Sequence, residues 1–188
     1  MQAAISSLLF KSHPLGGVVD LARDIGVSWL EVWTEHFWRD DDGRLLERLR
    51  KSGLGLSVHG PIGDINITSS NRGIREESLR QILHGVEEAA KMGARVITVH
   101  PGYLTGRQDG PESIWDLQVE GLTRIARRGK EVGILVAMET MEKRSKEVVI
   151  HPEITNEILA AVNMENFGVT FDVSHAHTVM DVVQFIRA

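Results

Sequence analysis

Four apolar segments of the sequence each end in a side chain that can bind a metal ion. His59 follows Leu-Gly-Leu-Ser-Val, His100 follows Val-Ile-Thr-Val, and Glu139 follows Leu-Val-Ala-Met. Asp172 follows Val-Thr-Phe, and His175 lies three residues beyond it. Two imidazoles and one carboxylate are the three-ligand set of a catalytic zinc site, which keeps its fourth position open. The pattern therefore predicts a divalent-metal centre where these segments end.

A metal held there could lower the pKa of a bound water molecule or polarise a hydroxyl or carbonyl oxygen of a substrate. The carboxylate of Glu139 could also bridge two metal ions. Each residue has a structural interpretation as well. A single histidine at a strand end is usually hydrogen-bonded within the fold, and Asp172 could cap the helix that follows it. Because four consecutive segments end in this way, we favour the metal centre.

The segments that carry these residues alternate with longer amphipathic stretches. Short runs rich in Val, Ile and Leu, with little in/out alternation, are typical of parallel strands covered on both faces. They span residues 3–10, 28–33, 54–59, 95–100, 134–139 and 168–172. Helical periodicity is clearest over residues 74–92 and 111–132 and weaker over 18–25, 43–51 and 153–162, and a last helix is expected from about residue 178.

This alternation predicts six βα units and therefore a parallel α/β fold. A doubly wound sheet would carry a glycine fingerprint after its first strand, and Lys-Ser-His-Pro-Leu-Gly-Gly lacks that pattern. At about 31 residues per unit, eight units need about 250 residues, the usual size of a TIM (β/α)8 barrel. We therefore expect residues 1–188 to form a single TIM-type barrel domain with about six of its units, incomplete at its C-terminal side.

The composition is that of a globular protein and limits the chemistry. The 188 residues include 21 basic and 26 acidic side chains, for a net charge of -5, and no cysteine, so thiolate catalysis and disulfides are excluded. No apolar run reaches the roughly 18 residues of a membrane span. The opening MQAAISSLLF lacks the basic region of a signal peptide, so we expect a cytoplasmic protein without a membrane partner. The acidity argues against a broad nucleic-acid footprint.

Several motifs resemble those of the xylose isomerase-like TIM barrels. That superfamily includes AP endonuclease family 2, of the endonuclease IV type, and many sugar-phosphate isomerases and epimerases. The resemblance covers most of the chain from Val27 onward. It rests on the segments 59–69, 74–78, 92–102, 136–140 and 171–177, which contain His59-Gly-Pro, His100-Pro-Gly, Met-Glu139-Thr and Asp172-Val-Ser-His175.

The resemblance implies different roles in the two kinds of member. In the endonuclease type, His59, His100 and Glu139 would bind one zinc ion, Glu139 and Asp172 would contribute to a second, and His175 to a third. In the isomerase type, Glu139 and Asp172 would bind one divalent metal. There Glu139 would also be one of two glutamates that move the proton, and His175 would help to hold the substrate.

The chain departs from the family pattern in two respects. A further His, an Asp-x-His and a final Glu normally come from the seventh and eighth units, and these 188 residues do not supply them. The loop after the third predicted strand, Gly-Pro-Ile-Gly-Asp, offers only Ile62 as a wedge that could enter damaged DNA. The small loop and the acidic charge both weaken the DNA-repair hypothesis.

The leading hypothesis is therefore a divalent-metal-dependent isomerase or epimerase that binds Zn or Mn and acts on a small sugar or sugar phosphate. Glu139 would be ligand and base, and Glu31, at the end of the second strand, could contact a substrate hydroxyl. Arg107 is a weaker candidate for a phosphate contact, and we favour a solvated loop charge there. The alternatives are a zinc AP endonuclease and a non-catalytic barrel fragment. Because the first and last strands would be sheet edges, we expect a homo-oligomer.

Overall fold

Six parallel strands lie side by side in the order in which they occur in the chain. The computed structural model describes residues 2–106 and 109–188. Every neighbouring pair is parallel, so all six carboxyl ends lie at one edge of the sheet. The strands are β1 (Ala4–Ser6), β2 (Trp29–Trp33), β3 (Gly55–His59), β4 (Val96–Val99), β5 (Leu135–Glu139) and β6 (Phe167–Thr170).

Helices follow every strand and complete the βα repeat. They are α1 (Leu15–Asp24), α2 (Thr34–Asp40), α3 (Leu45–Arg50), α4 (Arg72–Met92), α5 (Trp115–Val132), α6 (Pro152–Val162), α7 (Val173–His177) and α8 (Val182–Arg187). A sequential parallel sheet with alternating helices is the arrangement of a TIM barrel, so the predicted fold class is confirmed for six units. Among the described residues, none of these helices combines the length and the apolar character needed to span a bilayer.

Local sequence signals explain where the longest helix begins and ends. The Asn71 side chain accepts hydrogen bonds from the backbone N–H groups of Gly73 and Ile74, which caps the first turn of α4. Gly93 ends the helix in the left-handed conformation, with φ of 79°, which a residue with a Cβ adopts only at a cost. The helix predicted over residues 74–92 is thus confirmed and begins two residues earlier.

The sheet face turned towards the helices forms the hydrophobic core. Leu30 and Val32 of β2 are fully buried and pair in register with Leu56 and Val58 of β3. These side chains belong to the same buried cluster as Ile82 of α4. Their apolar character explains why these strands read as near-continuous hydrophobic runs.

The other face of the sheet is polar and strongly curved. The hydroxyl oxygens of Thr98 on β4 and Thr170 on β6 lie 2.8 Å apart, although β5 separates the two strands. Side chains two strands apart approach this closely only across the inside of a curved sheet, as in a barrel. The concave face therefore brings groups from several strands together.

The first strand is shorter than the sequence predicts. The segment expected over residues 3–10 is a strand only from Ala4 to Ser6 and continues as a 3-10 turn over Ser7–Phe10. The Ser6 hydroxyl caps this turn, and the buried Ser7 hydroxyl accepts a hydrogen bond from the Trp33 backbone N–H. Serine side chains that bond to backbone groups in this way divert a chain from strand pairing.

Two short helices and the start of the last one also differ from the prediction. Helices α2 and α7 have no counterpart in the predicted pattern, because five to seven residues are too few to show a helical period. The helix expected from about residue 178 begins at Val182, where the Asp181 side chain accepts a hydrogen bond from the Gln184 backbone N–H. The helix predicted from residue 111 starts as a 3-10 turn and becomes α-helical at Trp115.

The two outer strands lead to a prediction about association. In the described part of the chain, β1 and β6 each pair on one side only, and Val183 and Ile186 of α8, the last helix, are 52% and 65% exposed. Unpaired strand edges next to apolar side chains favour association with another chain. We expect this 188-residue chain to dimerise or aggregate in light scattering, and Ile186→Lys to reduce the association.

A matched control for that experiment is Ile74→Lys on α4, where Ile74 is 49% exposed and lies on a helix remote in sequence from both outer strands. This change should leave the association as it is in the wild type. A monodisperse monomer near 20.9 kDa with a sharp, cooperative melt would contradict the prediction.

Candidate metal centre

Three neighbouring strands bring the first group of predicted ligands together. His59 is the last residue of β3, His100 follows the last residue of β4, and Glu139 is the last residue of β5. Because these strands are parallel neighbours in register, their carboxyl ends meet at the same edge of the sheet. The positions of the three side chains follow from the lengths of the buried runs that precede them.

The three side chains converge on one carboxylate oxygen. Glu139 Oε2 lies 3.2 Å from His59 Nε2 and 3.0 Å from His100 Nε2, and the three ligand atoms all lie within 4.8 Å of one another. The imidazole rings of His59 and His100 meet edge to face, with their centroids 5.3 Å apart. His59 and Glu139 are buried, whereas 29% of the His100 side chain is exposed. The group is therefore open to solvent on the His100 side.

The hydrogen bond at the far side of the His59 ring orients its ligand atom. Nδ1 lies 2.8 Å from the Gly60 carbonyl oxygen, so Nδ1–H donates there and Nε2 faces Glu139. Nε2 then interacts favourably with the carboxylate only when it carries a proton or when a cation lies between them. Burial by itself lowers the pKa of His59, but the hydrogen bonds with Glu139 and Gly60 outweigh it and raise the pKa.

The carboxyl group of Glu139 is ionised at neutral pH. Burial by itself raises its pKa, but the hydrogen bonds from His100 and His59 prevail and lower the pKa to about 2. A buried carboxylate that faces two imidazole nitrogens matches the donor set of a divalent cation such as zinc. The residues present therefore fit a metal ion, and metal binding itself stays a prediction.

A second group shares Glu139 and extends towards β6. Its ligand atoms come from Glu139, Asp172 and His175 and also lie within 4.8 Å of one another. His175 Nδ1 lies 2.9 Å from the Thr140 carbonyl oxygen and 3.8 Å from Glu139 Oε1. The ring nitrogen nearest to Glu139 and Asp172 is therefore the one that also contacts the Thr140 carbonyl oxygen.

Asp172 caps a helix with one carboxylate oxygen and faces the second group of candidate ligands with the other. Its Oδ1 atom accepts hydrogen bonds from the Ser174 hydroxyl and the His175 backbone N–H, so it caps α7, as the structural interpretation expects. Burial alone would raise the pKa of Asp172, but these two hydrogen bonds and the charge of His175 lower it. The other oxygen, Oδ2, lies 3.9 Å from His175 Nδ1 and faces the second group. Capping and metal binding are thus compatible here.

The structure places Glu31 in the middle of β2, not at its end as expected from the sequence, and within a hydrogen-bonded network on the concave face. Its Oε1 atom accepts hydrogen bonds from the Ser6 hydroxyl, at 2.6 Å, and from the Trp33 indole N–H, at 3.2 Å. The contact between Glu31 and a substrate hydroxyl stays a prediction. Arg107, the candidate for a phosphate contact, lies outside the described residues.

Two residues near the group were not identified from the sequence. Trp33 stacks on the His59 ring, and its only sequence signal is its position at the end of a predicted strand. Glu147 lies half-buried in the loop between β5 and α6, and burial raises the pKa of its carboxyl group. That loop has no period that could have located it.

The chain matches one protein-family model, described as xylose isomerase-like TIM barrel, over residues 19–187. Among curated relatives, an uncharacterized protein of Methanocaldococcus jannaschii is 27% identical over 191 residues. That alignment covers 100% of this chain and 65% of the relative, so the chain spans about two thirds of that protein.

Two further similarities indicate different activities. A Bacillus velezensis protein named "Probable endonuclease 4" is 33% identical over 132 residues, which are 69% of this chain and 43% of the relative. The crystal structure of a D-tagatose 3-epimerase-like protein superimposes with a TM-score of 0.87 at 25% identity, over 100% of this chain and 70% of that one. The whole chain thus superimposes on a protein named as epimerase-like, and about two thirds of it aligns with a protein named as a probable endonuclease.

Proposed function

The chain belongs to the xylose isomerase-like TIM barrels, and from this premise we propose that it acts as a divalent-metal-dependent isomerase or epimerase on a small sugar or sugar phosphate. The observation that carries the proposal is the convergence of His59, His100 and Glu139 at the carboxyl ends of three neighbouring strands. The similarity to a D-tagatose 3-epimerase-like protein supports the sugar as substrate class.

In the proposed site, His59, His100 and Glu139 would hold a zinc or manganese ion, and Asp172 and His175 would be further ligands in the second group. When bound, the metal would polarise a carbonyl or hydroxyl oxygen of the sugar and so acidify the neighbouring C–H bond. The Oε1 atom of Glu139, which accepts no hydrogen bond from His59 or His100, is the oxygen that would take that proton. Returning the proton from Glu139 to the adjacent carbon on the same face gives the isomer. The epimer requires a second acid on the opposite face, the role of the second glutamate in the family.

A solvent-exchange experiment tests this proposal. The protein is loaded with Mn²⁺ in D2O and incubated with D-tagatose and with D-fructose, and deuterium at the carbon next to the carbonyl is followed by NMR. We expect incorporation with the wild type and a loss of at least about 100-fold with Glu139→Gln, which removes the base.

The matched control is Glu157→Gln, an exposed glutamate on α6 that should leave the exchange rate unchanged. Absence of exchange into either ketose by metal-loaded wild-type protein would contradict the proposed reaction for these substrates. Equal exchange by the wild type and Glu139→Gln would remove Glu139 from the role of base.

A second candidate function is cleavage of DNA at abasic sites, which the similarity to "Probable endonuclease 4" favours. Two features weigh against it. The net charge is -5, and the loop after β3 presents Ile62 and Gly63, whose backbone N–H groups both donate to Glu35 Oε1. A protein that reads damaged DNA needs cationic contacts to phosphates and bulky side chains that enter the helix.

Binding to an abasic duplex separates the two functions. We expect a dissociation constant above about 10 μM at 150 mM salt, with an undamaged duplex of the same sequence as the control, since few phosphates would be neutralised. Submicromolar binding that prefers the abasic duplex and weakens steeply with salt would overturn the sugar hypothesis in favour of the endonuclease.

A further inference from the structure

We propose that Trp33 is a positioning residue of the candidate metal centre, which fixes the plane of the His59 imidazole so that Nε2 points at the metal position. The inference rests on the proposed function, because it presupposes that His59 binds a metal ion. It assigns to Trp33 a role in metal affinity and coordination geometry.

Trp33 lies directly beside His59 in the sheet. It is the last residue of β2 and pairs in register with His59, the last residue of β3. The indole and imidazole rings are stacked, with their centroids 4.2 Å apart and an angle of 12° between their planes. A ring in face-to-face contact at this distance cannot tilt about its Cβ–Cγ bond without colliding with the indole. The stack therefore restricts rotation of the His59 ring about this bond.

The hydrogen bond from His59 Nδ1 to Gly60 and the Trp33 stack act on different motions. The Gly60 carbonyl selects which nitrogen carries the proton and sets the direction of Nδ1, at 2.8 Å. The indole face sets the plane of the ring. With both in place, Nε2 has one direction, towards Glu139 Oε2 at 3.2 Å. A preoriented ligand atom binds a metal more tightly because less freedom is lost on binding.

Trp33 is itself held by side chains of the first strand and its turn. Its indole N–H donates to the Ser6 hydroxyl, at 2.9 Å, and lies 3.2 Å from Glu31 Oε1. The Ser6 hydroxyl donates to the same Glu31 oxygen, at 2.6 Å, and the Trp33 backbone N–H donates to the buried Ser7 hydroxyl. These contacts join side chains of β1, β2 and β3 in a series that ends at the His59 ring.

Trp33 is held by polar side chains, which indicates that it does more than fill space. A leucine at position 33 could pack against His59, but it would need neither the Ser6 hydroxyl nor the Glu31 carboxylate beside it. A metal-bound imidazole is poor in electrons, and the indole face is rich in them, so metal binding should strengthen the stack. Because the free energies of stacking and of metal binding are linked, the stack should in turn strengthen metal binding.

Three variants separate the stack from the hydrogen bond. Trp33→Leu removes the aromatic ring, Trp33→Phe keeps a ring without the N–H group, and Ser6→Ala removes the hydroxyl that holds the indole. Affinities for Co²⁺ and Zn²⁺ are measured by competition with a chelating dye, and the absorption spectrum of the Co²⁺ form reports the ligand geometry. Circular dichroism shows whether each variant is folded.

We expect Trp33→Leu to weaken metal binding about 10- to 100-fold, the usual effect of removing a group that orients a ligand, and to alter the Co²⁺ spectrum. Trp33→Phe should recover most of the affinity and the wild-type spectrum, and Ser6→Ala should lose about 2- to 5-fold. Tryptophan fluorescence gives a second readout, because bound Co²⁺ should quench Trp33 and the quenching should disappear in Trp33→Phe. Trp115→Phe on α5 is the control and should match the wild type in affinity and quenching.

The outcomes distinguish this inference from the proposed function. A wild type that binds neither Co²⁺ nor Zn²⁺ overturns both. A wild type that binds metal, with folded Trp33→Leu of equal affinity and identical Co²⁺ spectrum, overturns the positioning role alone. If Trp33→Leu does not fold, Trp33→Phe and Ser6→Ala decide. Unchanged fluorescence quenching in Trp33→Phe, together with unchanged affinity in Ser6→Ala, overturns the inference.

Discussion

Replacing His100 by alanine is expected to lower the affinity for Zn²⁺ or Mn²⁺ by at least about 100-fold, since the change removes one of the three ligands of the first group. His100 is suited to this test because its side chain is 29% exposed and lies after the end of β4, so its truncation should disturb the fold less than truncation of the buried His59. The His59–Glu139 pair remains in place, and the protein should fold. A loss of metal in this variant thus reports the ligand itself.

The measurement is elemental analysis of the purified protein, followed by isothermal titration of the metal-free form at pH 7.5. The wild type should retain Zn or Mn, and His100→Ala should retain little. His84→Ala is the matched control, because His84 is exposed on α4 and stacks on Trp38, away from the strand ends. A wild type that holds neither metal after incubation with both would contradict the metal centre.

The candidate ligands could be predicted from the sequence because they depend on one simple feature. Strands β3, β4 and β5 are short, mainly apolar runs, and the first ionisable residue after the start of each run marks its carboxyl end. In a parallel sheet these ends share one edge, so His59, His100 and Glu139 had to lie close together once the fold class was recognised. The numbers of residues between the three ligands add nothing to this prediction, because the strand ends alone bring the ligands together.

Residues that act through side chain contacts could not be located in this way. Trp33 acts on His59 from the neighbouring strand, and this contact depends on the register of the sheet rather than on a local pattern. The early end of β1 depends on hydrogen bonds of Ser6 and Ser7, whose partners lie in part on β2. Such contacts join residues far apart in the sequence, so a periodicity argument does not contain them.

In the metal-free protein, the His59–Glu139 pair is expected to raise the melting temperature more at pH 5.5 than at pH 8. The pKa of Glu139 is lowered from 4.5 to about 2 on folding, so its contribution to stability is present above pH 4.5 and is lost as the pH falls below it. The pKa of His59 is raised above 6.5, so its contribution is present below pH 6.5 and is lost as the pH rises through the raised value. The pair therefore stabilises the fold most between about pH 4.5 and 6.5.

A divalent metal should reverse this order, because it binds the deprotonated form of His59 Nε2 and replaces the proton between His59 and Glu139. With Zn²⁺ at about 1,000 times its dissociation constant, the stabilisation at pH 8 is about 4 kcal/mol, or roughly 8–16 °C in melting temperature. At pH 5.5 the proton competes, and the gain should be much smaller.

Glu139→Gln isolates the contribution of the His59–Glu139 pair to the pH dependence and to the stabilisation by metal. Other ionisable groups contribute equally to the variant and to the wild type. The neutral amide neither attracts the His59 imidazolium nor provides the anionic ligand, so the variant should lose the metal-dependent rise at pH 8 and about 1–3 kcal/mol of stability at pH 5.5. Glu157→Gln on α6, an exposed position, should retain both. Melting curves of the three proteins, at both pH values and with and without Zn²⁺, are the measurement. A Glu139→Gln variant that gains as much from Zn²⁺ at pH 8 as the wild type would show that the metal binds elsewhere, because no arrangement of His59 and His100 alone supplies the carboxylate that this site requires.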